Sequence, residues 1–284
     1  GLMLLISEDP QSTREAGLLE SWKSRRGQSC RRLSRDEALA LEPNLSPAIL
    51  GALHLPDIAQ VRNNRVAVAL SLAAAKLGAD IRPNTPVGSF LRVPGRVTGV
   101  RTPKGDLYAG TVVLAGGAWS PELLAPLGLD LPVKPAKGQM LLVQAPPDYC
   151  RSMILEGESY LIPRADGRIL VGSTLEFVGF NKAVTLEATG DLARRGMRLM
   201  PGLGKLPVVT SWSGLRPSSP DRLPYIGRVN GTEGLIVATG HFRNGILLAP
   251  ITGEFVTDLV KGRPSRLDLA PFDPQRRPVE SPDA

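Results

Sequence analysis

The stretch Thr239-Gly240-His241-Phe242-Arg243-Asn244-Gly245-Ile246-Leu247-Leu248-Ala249-Pro250 decides how this chain is read. Ahead of it runs Leu235-Ile236-Val237-Ala238, a short apolar run of the buried-strand type, and behind it a helical pattern continues to about Lys261. A chain that leaves a buried strand at glycine and turns at once into a helix presents the N–H groups of the helix's first turn without partners. Such a helix start suits an anion or the electron-rich edge of a cofactor. The predicted fold class is therefore α/β, with a ligand expected at this joint.

Working outward, Thr111-Val112-Val113-Leu114-Ala115 is a second apolar run that breaks at Gly116-Gly117 and resumes as a helix after Ser120-Pro121. Upstream, Leu2 to Ile6 reads as a strand, and Asp9-Pro10 starts a helix that ends near Gly27. Ser34-Arg35-Asp36-Glu37 is a capping box, so a short helix runs to Glu42. Leu50 to Leu55 reads as a strand, and Asn63 or Asn64 caps a helix over Arg65 to Leu77 whose Ala-rich face suits packing on a sheet. Ala79-Asp80-Ile81-Arg82 is expected as the strand after it. Pro86 to Val93 and Arg96 to Thr102 form a hairpin across Pro94-Gly95. From Val133 to Ser213 polarity alternates as in an antiparallel sheet, with one helix from about Thr185 to Met200. Residues 264–284, rich in Pro, Arg and Asp, read as a mobile end.

The run Ser213-Gly214-Leu215-Arg216-Pro217, then Pro224-Tyr225-Ile226-Gly227, then Thr239 to Pro250 resembles the C-terminal part of FAD-dependent amine and amino-acid oxidases. Within that D-amino-acid-oxidase-like group it is most similar to the glycine oxidases that serve thiamine biosynthesis, over about Ala48 to Lys261. The resemblance implies a Rossmann-like FAD lobe interleaved with an antiparallel substrate lobe. The expected division is 1–55 substrate lobe and connections, 56–131 FAD lobe, 132–213 substrate lobe, 214–263 FAD lobe and 264–284 tail. These flavoproteins open on strand, G-x-G-x-x-G and helix, and no such glycine pattern occurs here. The expectation is that this segment lies upstream of Gly1, and that these residues expressed alone are unstable or free of flavin.

The resemblance also implies roles. Arg216 is the expected clamp on a substrate carboxylate, a task that suits the planar two-pronged guanidinium. Tyr160, in Ser159-Tyr160-Leu161-Ile162-Pro163-Arg164, and Leu175 are expected to line the substrate pocket, the latter as an apolar wall. Gly116, Gly117 and Trp119 match the family's second glycine motif, and Val87 matches a position near the adenine end of FAD. Gly240, His241, Phe242, Arg243, Asn244, Gly245, Ile246 and Leu247 form the expected cofactor loop, with a second, substrate role open to Arg243. No catalytic base is assigned. His241 belongs to the cofactor loop and His54 to the structure, because hydride can leave the substrate α-carbon for the flavin without a protein base once the amine is neutral. Residues 213–227 hold no cysteine, so FAD is expected to bind noncovalently. The expected reaction is glycine to glyoxylate, ammonia and hydrogen peroxide, with oxygen as acceptor. Sarcosine or a D-amino acid, a dehydrogenase with another acceptor, and a non-catalytic piece of a flavoprotein complex are the alternatives.

The formal charge of +7 is spread in pairs such as Arg25-Arg26 and Arg31-Arg32 rather than in a dense basic run, which argues against nucleic acid as partner. Cys30 and Cys150 stand far apart without metal spacing and read as reduced thiols of a cytoplasmic protein. No apolar run is long enough to span a membrane, and self-association is left open.

Overall fold

Strand β1 (Leu2–Ile6) leads into helix α1 (Pro10–Ser24), which starts where the sequence says it should: Asp9 accepts a hydrogen bond from Gln11 N–H at 2.9 Å and Pro10 occupies the first turn. Next come β2 (Arg31–Ser34), α2 (Arg35–Leu41) and β3 (Gly51–Leu55). The capping box of α2 is complete: Glu37 N–H donates to Ser34 Oγ at 3.3 Å and Ser34 N–H to Glu37 Oε2 at 2.8 Å. The chain continues through α3 (Asn63–Lys76), β4 (Ser89–Val93), β5 (Arg96–Thr102), β6 (Gly105–Tyr108), β7 (Val112–Leu114) and α4 (Ser120–Leu124). It then forms β8 (Lys134–Gln144), β9 (Met153–Glu156), β10 (Ser159–Pro163), β11 (Arg168–Gly172) and α5 (Leu186–Leu199). Last are β12 (Val208–Ser218), β13 (Tyr225–Val229), β14 (Thr232–Thr239) and α6 (Gly245–Lys261). The structure is a computed structural model that describes residues 1–278.

These elements make a mixed α/β protein with two sheets and two compact units, 1–61 with 137–176 and 181–214, and 62–136 with 177–180 and the described residues from 215 on. The first unit holds the eight-stranded sheet, in the order β12-β8-β11-β10-β9-β1-β3-β2. Alternation along its strands gives it two different faces. One face carries Leu141 and Val143 of β8, Leu161 of β10, Ile169 and Val171 of β11 and Met3 and Leu5 of β1, sealed by Ala38 of α2 and Leu192 and Leu199 of α5. On the opposite face Leu4, Ile6, Leu53 and Leu55 pack with Ala16 of α1. Further along that second face lie Met140, Tyr160 and Ile162, half-buried.

In the second unit β14 is central. It pairs antiparallel with β13 and parallel with both β5 and β7, while β4 and β6 add antiparallel strands on β5. Its core joins Val97, Leu114, Leu124, Leu131, Tyr225, Leu235 and Val237. Two expectations need correction here. Residues 79–82 form no strand, because no described strand lies beside them to take their hydrogen bonds. The Ala-rich face of α3 is not packed: none of its residues is buried, and Val68 and Leu72, one turn apart, are each 60 % exposed.

The tail is a third correction as far as it is described. Arg276 lies over the Tyr225 ring at 3.7 Å, and its Nε and Nη2 donate to the two carboxylate oxygens of Asp221 at 2.9 and 2.8 Å. Burial pushes the Asp221 carboxyl up, but the Arg276 hydrogen bonds outweigh it and hold it below the usual range. Asn230 N–H donates to Gln275 at 2.8 Å. Leu269 to Arg276 is thus fastened beside β13, to Asp221 in the turn ahead of it, by a nearly buried ion pair that composition alone could not reveal. Residues 279–284, also read as mobile, lie outside the described residues. Replacing Asp221 with Asn leaves the guanidinium without its counter-charge and is expected to lower unfolding free energy by about 3 kcal/mol. Urea unfolding of the protein measures this, and a midpoint equal to the parent's would show that the tail contributes nothing.

Candidate active site

In the second unit β7 and β14 run parallel in register, Leu235 opposite Val112 and Val237 opposite Leu114, so they end on the same edge of the sheet. Ligands of α/β sheets gather beyond such carboxyl ends. Glycine follows each strand, Gly240 directly after β14 and Gly116 two residues past β7. A hydroxyl relay joins the two ends: Thr239 Oγ1 donates to the Gly117 carbonyl at 3.0 Å, and Ser120 Oγ donates to Thr239 Oγ1 at 3.2 Å, both hydroxyls being buried.

The backbone here needs glycine for two separate reasons. Gly240 has φ +80°, which strains any side chain, and a Cβ on it would stand 3.0 Å from the Tyr225 ring, so the space for one is tight as well. Gly117 has φ +55° with nothing within 4 Å of where its Cβ would be, which leaves bare peptide facing open space. Beside it Trp119 and Phe180 pair their rings at 5.5 Å. Phe242 takes φ +47°, an uncommon conformation for a bulky residue, held by its N–H donating to the Pro217 carbonyl at 2.9 Å.

That bond and a β-bridge between Ser218 and His241 bring the two sequence motifs together. Arg216, half-buried near the end of β12, is therefore seated beside the loop that opens α6. Arg243 is exposed, with its guanidinium 5.5 Å over the Phe242 ring. His241 Nε2 is 2.9 Å from Thr252 Oγ1, which ties the loop to the second turn of α6. Burial lowers the His241 pKa, so the ring is neutral at neutral pH. Asn244 precedes α6 without a side-chain cap, and Ile246 and Leu247 at its start are exposed. Val87 lies just ahead of β4, where the next residue, Gly88, donates its N–H to the Arg101 carbonyl at 2.9 Å.

In the first unit Tyr160, Gly172 and Met140 stand in one row across β10, β11 and β8. The hydroxyl end of the Tyr160 ring lies against Gly172, and its hydroxyl reaches Met140 Sδ at 3.4 Å. Leu175, just past β11, is 43 % exposed. Reading the sequence missed the supporting residues, Gly172, Met140, Thr239 and Thr252, because only strand register or the course of α6 brings them to the site. Thr239 had a signal, a hydroxyl at a strand end before glycine.

The residues fit a large flat cofactor: bare glycine peptide at two strand ends, an uncapped helix start and exposed apolar side chains around it. The family profile described as DAO, FAD dependent oxidoreductase, matches residues 1–259. The chain belongs to this family of FAD-dependent oxidoreductases. It is 42 % identical over 258 residues to glycine oxidase of Pseudomonas putida, covering 90 % of this chain and 71 % of that one. It is 38 % identical over 240 residues to the bifunctional protein ThiO/ThiG of a Synechocystis species, covering 83 % of this chain and 36 % of that one. Its fold matches the crystal structure of glycine oxidase from Geobacillus kaustophilus with a TM-score of 0.91 and 35 % identity, over 98 % of this chain and 75 % of that one. Among the described residues no helix is long and apolar enough to cross a membrane, and no cluster of side chains could hold a metal ion.

Proposed function

We propose that the protein oxidises the carbon–nitrogen bond of a small amino acid, with glycine as substrate. Glycine, water and oxygen become glyoxylate, ammonia and hydrogen peroxide, through an imine that water hydrolyses. The observation that carries this reading is the junction at Ser218 and His241, which seats the arginine of Gly214-Leu215-Arg216-Pro217 beside the glycine-lined loop. FAD, held noncovalently by residues 116–119 and 240–247, would supply the two-electron acceptor for hydride from the substrate α-carbon.

The chain's own residues bind and align. Arg216 takes the carboxylate in a two-pronged hydrogen bond. Tyr160, fixed over Gly172, orients the substrate and excludes water with its ring. Leu175 closes the pocket against larger side chains. Gly116, Gly117, Trp119 and residues 240–247 cradle the cofactor, and Val87 meets its adenine end. Arg243 serves the cofactor loop. Neutral His241, bonded to Thr252, holds that loop and takes no proton. Cys150, a buried thiol whose pKa burial pushes up, is inert and suits a reducing cytoplasm. The similarity to ThiO/ThiG supports a place in thiamine biosynthesis.

Anaerobic addition of glycine to the FAD-loaded protein is expected to bleach the flavin absorbance, and readmitted air to restore it with one peroxide per flavin. Bleaching by sarcosine or D-alanine but not by glycine would replace the substrate. Bound FAD that no amine bleaches would overturn the reading.

A further inference from the structure

Lys137 is the one lysine of β8 whose side chain is almost wholly removed from water, at 2 % exposure. Its Nζ lies 3.2 Å from Glu176 Oε2. The other oxygen of Glu176 accepts hydrogen bonds from Thr174 Oγ1 at 2.5 Å and Gln139 Nε2 at 2.8 Å. Gln139 Oε1 in turn accepts the N–H of Thr185 at 2.9 Å, and Thr185 caps α5. The main chain closes the ring: Lys137 and Glu176 exchange N–H to carbonyl bonds at 2.8 and 2.9 Å. Burial pushes the Glu176 carboxyl up, but Thr174, Gln139 and Lys137 outweigh it and keep the carboxylate ionised.

The network lies on a definite side of the sheet. Lys137, Gln139, Leu141 and Val143 alternate along β8, and the last two are in the core under α5. Thr174 and Glu176 point to that same side, where they bond with Gln139 and Lys137. Leu175 between them therefore leaves on the opposite face, the face of Met140 and Tyr160. Burying the Lys137 charge against a half-buried Glu176 is a poor way to gain stability, since well-packed apolar residues of like size do as well or better. What a fully satisfied polar network does supply is direction: few other arrangements of residues 174–176 keep all of these bonds.

We infer that the pair of buried Lys137 and half-buried Glu176, with Thr174 and Gln139, is a positioning element that holds Leu175 in place on the Tyr160 face and thereby limits the size of amine accepted. This rests on the pocket-wall role proposed for Leu175. Lys137 and Glu176 act through Leu175 and touch no substrate.

The test uses Lys137→Met, Glu176→Gln and the milder Thr174→Val, which keeps the shape and removes only a hydroxyl, with Lys137→Arg as the conservative rescue. Hydrogen exchange at the amides of residues 174–176 is expected to quicken about tenfold in the first three, with β10 unchanged. The ratio of kcat/KM for glycine to that for D-alanine, one methyl larger, is expected to fall about tenfold. The glycine KM rises while kcat stays near the parent's, and Lys137→Arg restores the ratio. A lower melting temperature with unchanged local exchange and an unchanged ratio would make the network merely structural and overturn the inference. Faster exchange with an unchanged ratio would overturn its specificity half. Exchange needs no substrate, so a parent that oxidises another amine refutes glycine without touching the positioning claim. The ratio is then read on that amine and its one-carbon-larger homologue.

Discussion

Arg216→Ala is expected to raise the apparent glycine constant about 10²- to 10³-fold. Two charge-assisted hydrogen bonds to a carboxylate, at about 1.5–2 kcal/mol each, sum to this range. The backbone that carries Arg216 does not depend on the side chain. It is held by β12 and by the two links from its neighbours, Pro217 to Phe242 and Ser218 to His241. The alanine protein should therefore keep its FAD and its melting temperature. Arg216→Lys keeps the charge but loses the planar fork, and should fall between the two. Steady-state kinetics beside the flavin absorbance of the purified protein decide the matter. Flavin lost while the glycine constant stays put would move Arg216 from the substrate to the cofactor.

What was legible in the sequence was whatever depends on neighbours along the chain. Gly240 between an apolar run and a helix start is a local signal, and the structure gives it a positive φ with Tyr225 beneath. The capping box of α2 and the Asp9-Pro10 start of α1 are local as well. What depends on register was hidden. Nothing near Tyr160 in the sequence names Gly172 or Met140 as its neighbours, because antiparallel pairing of three strands creates that row. Lys137-Gly138-Gln139 shows no sign of its partners at Thr174 and Glu176. The stretch 79–82 had the residues of a strand, but a strand exists only where another backbone meets it. The tail had the composition of a loose end, yet one arginine stacked on Tyr225 and paired with Asp221 is enough to anchor it.

Gly172→Ala should be as damaging as a single methyl can be. The φ of Gly172 is open to any residue, so conformational freedom is not the issue; space is. A Cβ there would stand 2.3 Å from Cζ and 2.5 Å from the hydroxyl oxygen of Tyr160, far inside contact distance. The clash is with Cζ, Cε2 and the hydroxyl together, so the whole rigid ring has to turn to relieve it. Tyr160 must swing away, breaking its contact with Met140 and leaving the place from which it is proposed to orient substrate. Overpacking of this kind costs about 1–3 kcal/mol of stability. A displacement of the order of an ångström at an aligning residue costs about 100-fold in kcat/KM. Strain and misplacement share one cause, and a double-mutant cycle isolates it. In a Tyr160→Ala background the ring is gone, and Gly172→Ala should then change neither stability nor rate appreciably. Tyr160→Phe, which removes only the hydroxyl, should leave the full penalty of alanine at 172 in place. If Gly172→Ala costs the same with and without the ring, the penalty comes from elsewhere in β11, and Gly172 is not there to make room for Tyr160.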